Sequence, residues 1–128
     1  MPIDDSRPIW IQLVDDFRLR IVTGAWVPGT RIPSVRDLAA DTGVNPNTVQ
    51  RALADLDRSG LTTAERTAGR FVTADTGVLD ATRRELAVGA ADTFITAVTA
   101  IGMDLAQAGE VLTERWPDHP IQESGETS

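Results

Sequence analysis

The chain has 128 residues, 41% of them hydrophobic, which is apolar material for one core with an appendage and too little for several domains. It has no cysteine, so a disulfide framework, a thiol nucleophile and a thiolate metal site are excluded. A net charge of −7 excludes a surface that is basic throughout but not a locally basic one, because residues 1–76 carry 9 Arg against 10 Asp plus Glu, whereas residues 77–128 carry 3 against 9.

All 12 basic residues are Arg, the side chain that forks onto phosphate or guanine, and Arg31, Arg36, Arg51, Arg58, Arg66 and Arg70 are concentrated in the middle of the chain. No apolar run approaches the length of a membrane span, and the opening MPIDDSRP lacks the hydrophobic stretch of a signal peptide, so a cytoplasmic protein with no membrane partner is expected.

In chain order, Met1 to Arg7 is a polar lead-in. Ile9, Leu13, Phe17 and Ile21, with Trp10, Val14 and Leu19 partly offset, predict a helix from about Pro8 to Thr23 that stops at Gly24. Trp10 and Phe17 are expected in its core rather than at a ligand. Pro28-Gly29 suits the centre of a type II turn, and Thr30-Arg31-Ile32 a very short strand. The next helix begins at Pro33-Ser34, with Ser34 as N-cap and Asp37 at the capping-box position. Val35, Leu38 and Ala39 form its apolar stripe, and Val49, Ala52, Leu53 and Leu56 form another across the connection Asp41-Thr42-Gly43-Val44-Asn45. Two amphipathic helices joined by so short a connection predict a helix-turn-helix. Gly43 supplies the positive φ of the turn, Asn45 is a good N-cap, and Pro46 fits the first helical position, where a missing N–H costs nothing.

With that second stripe turned inward, Asn47, Thr48, Gln50, Arg51 and Ala54 remain outside on helix 46–58. A recognition helix presents such polar side chains near its N-terminus to base edges in the major groove. Asn and Gln match the adenine N6/N7 pair, and Arg matches guanine O6/N7 or a phosphate. An ordinary helical hairpin with a polar face is the competing reading. After Ser59-Gly60, the runs Leu61–Glu65 and Arg70–Thr73 flank Arg66-Thr67-Ala68-Gly69, which predicts a β-hairpin whose Arg-flanked tip, 66–70, contacts backbone or minor groove.

Beyond Thr76, Leu79, Leu86, Ala90, Phe94, Ala97, Val98 and Ile101 repeat at helical spacing, with Ala87, Ala91 and Ile95 widening the stripe, until Gly102 breaks it. Asp104 and Gln107 form a D-x-x-Q capping box for a shorter helix with Leu105, Ala108, Val111, Leu112 and Trp116 on its apolar face. These stripes have too little partner surface in one chain, so a homodimer is expected, with Leu86, Ala90, Phe94, Ile95, Val98, Leu105 and Leu112 at its interface; packing back onto the chain's own first part is the alternative. The expected division is a DNA-binding domain over 1–75, a two-helix dimerisation region over 76–116 and a polar, disordered tail over 117–128. His119, between Asp118 and Pro120, reads as solvent-exposed rather than as a metal ligand.

PGTRIPSVRDLA, GVNPNTVQRAL and LDRSGL followed by GRFVT resemble the winged helix-turn-helix of GntR-type bacterial transcription regulators, continuously from about Pro8 to Thr73. VNPNTV is similar to the YtrA-like subfamily, whose members carry a short two-helix tail. The resemblance implies a mainly α fold with a small β-hairpin, and a repressor that binds a palindromic operator in double-stranded DNA as a homodimer. It places Arg36, Asn45, Asn47, Thr48 and Arg51 and the wing residues Thr67, Gly69 and Arg70 at the family's DNA-contacting positions. Two departures stand out: many members have Arg where this chain has Pro46 and Gln50, and this wing is shorter and less basic than usual. No nucleophile–base pair, metal cluster or phosphate-binding glycine loop is visible, so neither an enzyme nor a cofactor is expected. A winged helix used for protein–protein contact is the alternative function. A small-molecule effector is left open, with a pocket between dimer helices as its place.

Overall fold

The computed structural model describes residues 3–119. Its elements are α1 (Ile9–Val22), α2 (Val35–Thr42), α3 (Pro46–Arg58), β1 (Thr62–Glu65), β2 (Gly69–Val72), α4 (Thr76–Ala100) and α5 (Leu105–Arg115), followed by a 3₁₀ turn, Trp116–Asp118. The fold is mainly α with one antiparallel hairpin. The polar tail expected from Pro117 begins with this turn, and its residues 120–128 lie outside the described residues.

The chain divides into two compact units between Thr82 and Arg83, inside α4. In the first unit, α1 packs on α3 and α3 on α2 around Leu13, Phe17, Ile21, Leu38, Val49, Leu53, Leu56 and Leu61. These apolar stripes recur at helical spacing, and each fully buried Leu or Phe contributes about 2–3 kcal/mol in area removed from water. Leu79 joins the same core, so the start of α4 belongs with this unit. Trp26, expected only as a lead into a turn, is buried, with its ring 5.2 Å from that of Phe17. Leu19, by contrast, faces solvent.

The ends of the helices explain why they start and stop where they do. The Ser34 hydroxyl accepts the Asp37 N–H at 3.1 Å, and the Asn45 side-chain oxygen accepts that of Asn47 at 2.8 Å. Gly43, at φ +71°, closes α2 in the left-handed conformation while its N–H reaches the Ala39 carbonyl. Both arms of the Asp104–Gln107 capping box form, at 2.9 and 3.0 Å. The start of α4 is held by Asp75, whose carboxylate accepts the Gly77 N–H at 2.8 Å. Even the polar lead-in is tied down. Gln12 is buried in α1, and its amide donates to the carbonyls of Asp4 and Arg7, each at 2.8 Å. Ser6, donating to the Asp4 carboxylate through both its hydroxyl and its backbone N–H, holds that carboxyl below its ordinary pKa.

The hairpin pairs Thr62 with Val72 and Glu65 with Gly69, so Gly69 begins the second strand and only 66–68 form the tip. The turn at Pro28-Gly29 closes through Thr30 N–H to the Val27 carbonyl, with Gly29 at φ +79°, as a type II turn requires. It delivers Arg31 to a single bridge opposite Phe71, making a third, one-residue strand.

In the second unit, the end of α4 is satisfied by Gly102 N–H to Thr99 and Met103 N–H to Val98, the paired bonds of a Schellman close. Of the side chains expected at a dimer seam, Leu86, Phe94 and Val98 are half-buried, while Ala90, Ile95, Leu105 and Leu112 are exposed.

Candidate nucleic-acid interface

Four buried residues, Val49, Ala52, Leu53 and Leu56, fix the rotation of α3 on the core, and that rotation decides what faces out. Asn47, Gln50 and Arg51 are exposed and Thr48 is half-buried, all close to the N-terminus of α3. Asn45 stands just before them. Its side-chain oxygen is occupied by the cap, which leaves its amide donors for a ligand. The positive end of the helix dipole and these donors together suit a polyanion carrying acceptors on its base edges.

The guanidinium of Arg51 lies 4.2 Å from the centre of the Trp10 ring, which comes from α1. Trp10 is half-buried and packed against the core, as expected, but its outer face forms a floor for an arginine of the recognition helix. Arg36 is exposed on α2.

The wing holds a revision. Arg70 was expected to reach phosphate or minor groove, but its fork is engaged by Asp57 of α3, with Nε to Oδ1 at 3.0 Å and Nη2 to Oδ2 at 2.9 Å. The Arg70 side chain is only 14% exposed. Asp57 also accepts the hydroxyl of buried Thr62 at 2.6 Å. A bidentate fork satisfied in this way braces the wing against the recognition helix. Arg31, Arg36 and Arg66 are exposed, as is Thr67 at the wing tip. Gly69 has its own reason to be glycine: at φ +105°, a Cβ there would sit 2.7 Å from Arg31 Nε, so the missing side chain is the seat of Arg31. Between the start of α2 and the wing lies a groove of about 270 Å³, lined among others by Arg31, Ser34, Glu65 and Gly69. Among the described residues, no group of three or more His, Asp and Glu converges as a metal site.

Trp10 and Asp57 are therefore part of this face although the sequence did not single them out for it, and Arg31, one of the clustered arginines, has its seat at Gly69 of the wing. For Asp57 there was a signal, an acid on the flank of a helix otherwise dressed for DNA.

A helix-turn-helix with a polar-faced second helix, followed directly by a short antiparallel hairpin, is a winged helix-turn-helix, the fold of a large class of DNA-binding domains. The sequence model of the bacterial regulatory proteins of the gntR family matches residues 11–72. The HTH-type transcriptional regulator YhcF of Bacillus subtilis is 32% identical over 98 residues, which cover 77% of this chain and 81% of the relative. The HTH-type transcriptional repressor YtrA of the same organism is 36% identical over 67 residues, 52% of each chain. Among solved structures, a GntR family transcriptional regulator from Listeria monocytogenes superposes with a TM-score of 0.80 at 30% identity, over 88% of this chain and 98% of that one. The DNA-binding domain of AraR, crystallised with its operator ORR3, superposes with a TM-score of 0.52 at 26% identity, over 57% of this chain and 88% of that one. This chain belongs to the GntR family of bacterial transcription regulators.

Proposed function

We propose that the chain is a repressor that binds a palindromic site in double-stranded DNA as a homodimer. The observation that carries this reading is the outer face of α3, where Asn47, Thr48, Gln50 and Arg51 stand exposed or half-exposed beside a capped, positively polarised helix end. Asn47 and Gln50 read adenine edges in the major groove, and Arg51 reads guanine. Arg36, Asn45 and Thr48 fix the helix on the backbone, and Thr67 and the backbone at Gly69 carry the wing to the flanking strand. In this scheme Arg70 acts through Asp57 as a brace, and the wing's phosphate contacts come from Arg31 and Arg66. The AraR domain bound to its operator supports the docking mode, and the repressor YtrA supports the sign of regulation.

The second unit supplies the pairing. Ile95, Ile101, Leu105, Leu112 and Trp116 are all exposed large apolar side chains, which a second copy would cover. Of two grooves beside them, one bounded by Ile95, Val98, Met103 and Leu105 measures about 200 Å³ and suits interdigitating side chains, while one lined by Leu112, Arg115, Trp116 and His119 measures about 360 Å³ and reaches the size of a small-molecule site. No single helix among the described residues is long and apolar enough to cross a membrane, and a DNA partner would be met in the cytoplasm.

Selecting bound duplexes from a random pool tests the function. The expected product is an inverted repeat with half-sites roughly 34 Å apart, or a multiple of that spacing, bound more weakly as salt rises. A single asymmetric half-site would remove the dimer from the scheme, and no enrichment over random DNA would remove sequence-specific binding.

A further inference from the structure

Among the described residues, two arginines lie over aromatic rings, and one of them, Arg20, has its charge taken up. Arg20 sits 5.7 Å from the Phe17 ring and 5.5 Å from that of Trp26, and it is also paired with Asp16 at 2.9 Å and Asp41 at 3.2 Å. That constellation is a finished piece of structure. Arg51 sits closer to its ring, 4.2 Å from the centre of Trp10, yet it is exposed, and among the described residues it has no carboxylate partner.

The geometry matters because a guanidinium uses different parts of itself for the two interactions. Its flat face is attracted to the negative face of the indole, whereas its N–H donors radiate in its own plane and stay available at the edge. Trp10 is held against the core, so its ring is a fixed surface. A free Arg side chain samples many rotamers and must be ordered when it binds, but one already laid on a wall meets its ligand with much of that ordering done. The acceptor pair that fits such an in-plane fork in duplex DNA is O6 and N7 of guanine.

Resting on the DNA-binding reading above, we propose that Trp10 is a positioning residue for base recognition, holding the Arg51 guanidinium edge-on to a guanine in each half-site. It touches no base itself. Its effect is therefore confined to the base pair that Arg51 reads, which a merely structural role in the core would not produce.

The test uses the full-length protein, the selected operator and a panel of duplexes changed at one base pair of each half-site. Wild type is compared with Trp10→Leu, Trp10→Phe, Arg51→Gln and the double variant Trp10→Leu/Arg51→Gln. Trp10→Leu is expected to weaken operator binding about 3- to 10-fold and to flatten the preference at one base pair, the same one that Arg51→Gln flattens. Trp10→Phe, which keeps an aromatic face, should restore most of the preference, and Trp10→Leu should cost nothing further once Arg51 is Gln. Equal losses from Trp10→Leu in the presence and absence of Arg51, or a loss spread evenly over all positions, would show that Trp10 acts only through the fold. Tighter binding by Trp10→Leu would show that the ring withdraws Arg51 from DNA. Either result overturns the inference while leaving the DNA reading intact, whereas a wild type that enriches no sequence overturns both.

Discussion

Leu53 and Leu105 are the same side chain on two amphipathic helices, one 1% exposed and the other 88% exposed. The contrast extends to their surroundings. The helices up to Arg58 close over Leu13, Phe17 and Val49, all 0% exposed, whereas the second unit leaves Ile101 at 74% and Trp116 at 70%. Apolar residues recur at helical spacing in both regions, but far less one-sidedly in α4 than in α3; under the proposed pairing, the covering surface of the second unit belongs to another copy. A part that reads DNA can be complete in one copy. A part that pairs copies, as proposed for the second unit, is by construction incomplete in one. Charge divides the same way, since residues 77–128 hold 9 acidic residues against 3 Arg and are repelled by the polyanion that the first part approaches.

The largest expected effect comes from attacking the incomplete half. Ile95→Asp places a charge where the second copy would seat, and burying it unpaired costs several kcal/mol, so sedimentation should show monomers. Losing the linked second half-site should lower affinity for a two-half-site duplex by about 10²–10⁴-fold. A variant that still sediments as a dimer and binds normally would move the interface elsewhere.

A matched pair of truncations measures the contrast itself. Leu53→Ala should lower unfolding stability by about 2–5 kcal/mol, and Leu105→Ala by no more than about 0.5 kcal/mol at concentrations where the chain is monomeric. Urea unfolding of both variants checks this, and equal losses would mean that the tail has its own intrachain core.

Removing the brace of the wing comes next. Asp57→Ala leaves the Arg70 fork and the Thr62 hydroxyl without their acceptor and should cost about 1–3 kcal/mol, less than a fully buried pair because Asp57 is partly open to solvent. Thermal unfolding reads that loss, and faster amide exchange in Thr62–Glu65 and Gly69–Val72 would locate it. The smallest effect belongs to the cap: Asn45→Ala should cost about 1 kcal/mol of stability, as measured by the same unfolding experiment.

The first three helices were legible because local chemistry and tertiary packing agree there. Ser34, Gly43 and Asn45 each do within a few residues what their side chains do in any helix end, and the apolar residues of α3 fall on one face wherever that helix is placed. The Asp104–Gln107 box was readable for the same reason. What escaped notice depends on residues far apart in the chain. An Arg beside the tip of a wing announces a fork but not its acceptor, and Arg70 meets Asp57 thirteen positions away, where the sequence pointed to phosphate. Gly69 looked like turn material and is instead a strand residue that makes room for Arg31. Trp26 lies in a segment without helical or strand periodicity, and Gln12 is polar, so neither carried a signal of burial; both are inside because of what α1 folds against.

The backbone also joins Gly29, Thr30 and Ile32 to Arg70 and Val72, on opposite sides of the helix-turn-helix. In polymer terms α2, α3 and the hairpin are the contents of one clasped loop, and the clasp consists of hydrogen bonds between its two ends. Short helices form and melt within about a microsecond by themselves, but the clasp must wait for chain ends to find each other across the whole loop. A nascent chain that has emerged only as far as Gly60 therefore possesses the recognition helix as sequence and lacks the fastening that holds it in register. The amides of Ile32 and Val72 should then exchange with solvent at a common rate, the signature of one cooperative unit. A fragment carrying the recognition helix alone would be no weaker version of the reader, because the surface that meets DNA comes into being only when the loop shuts.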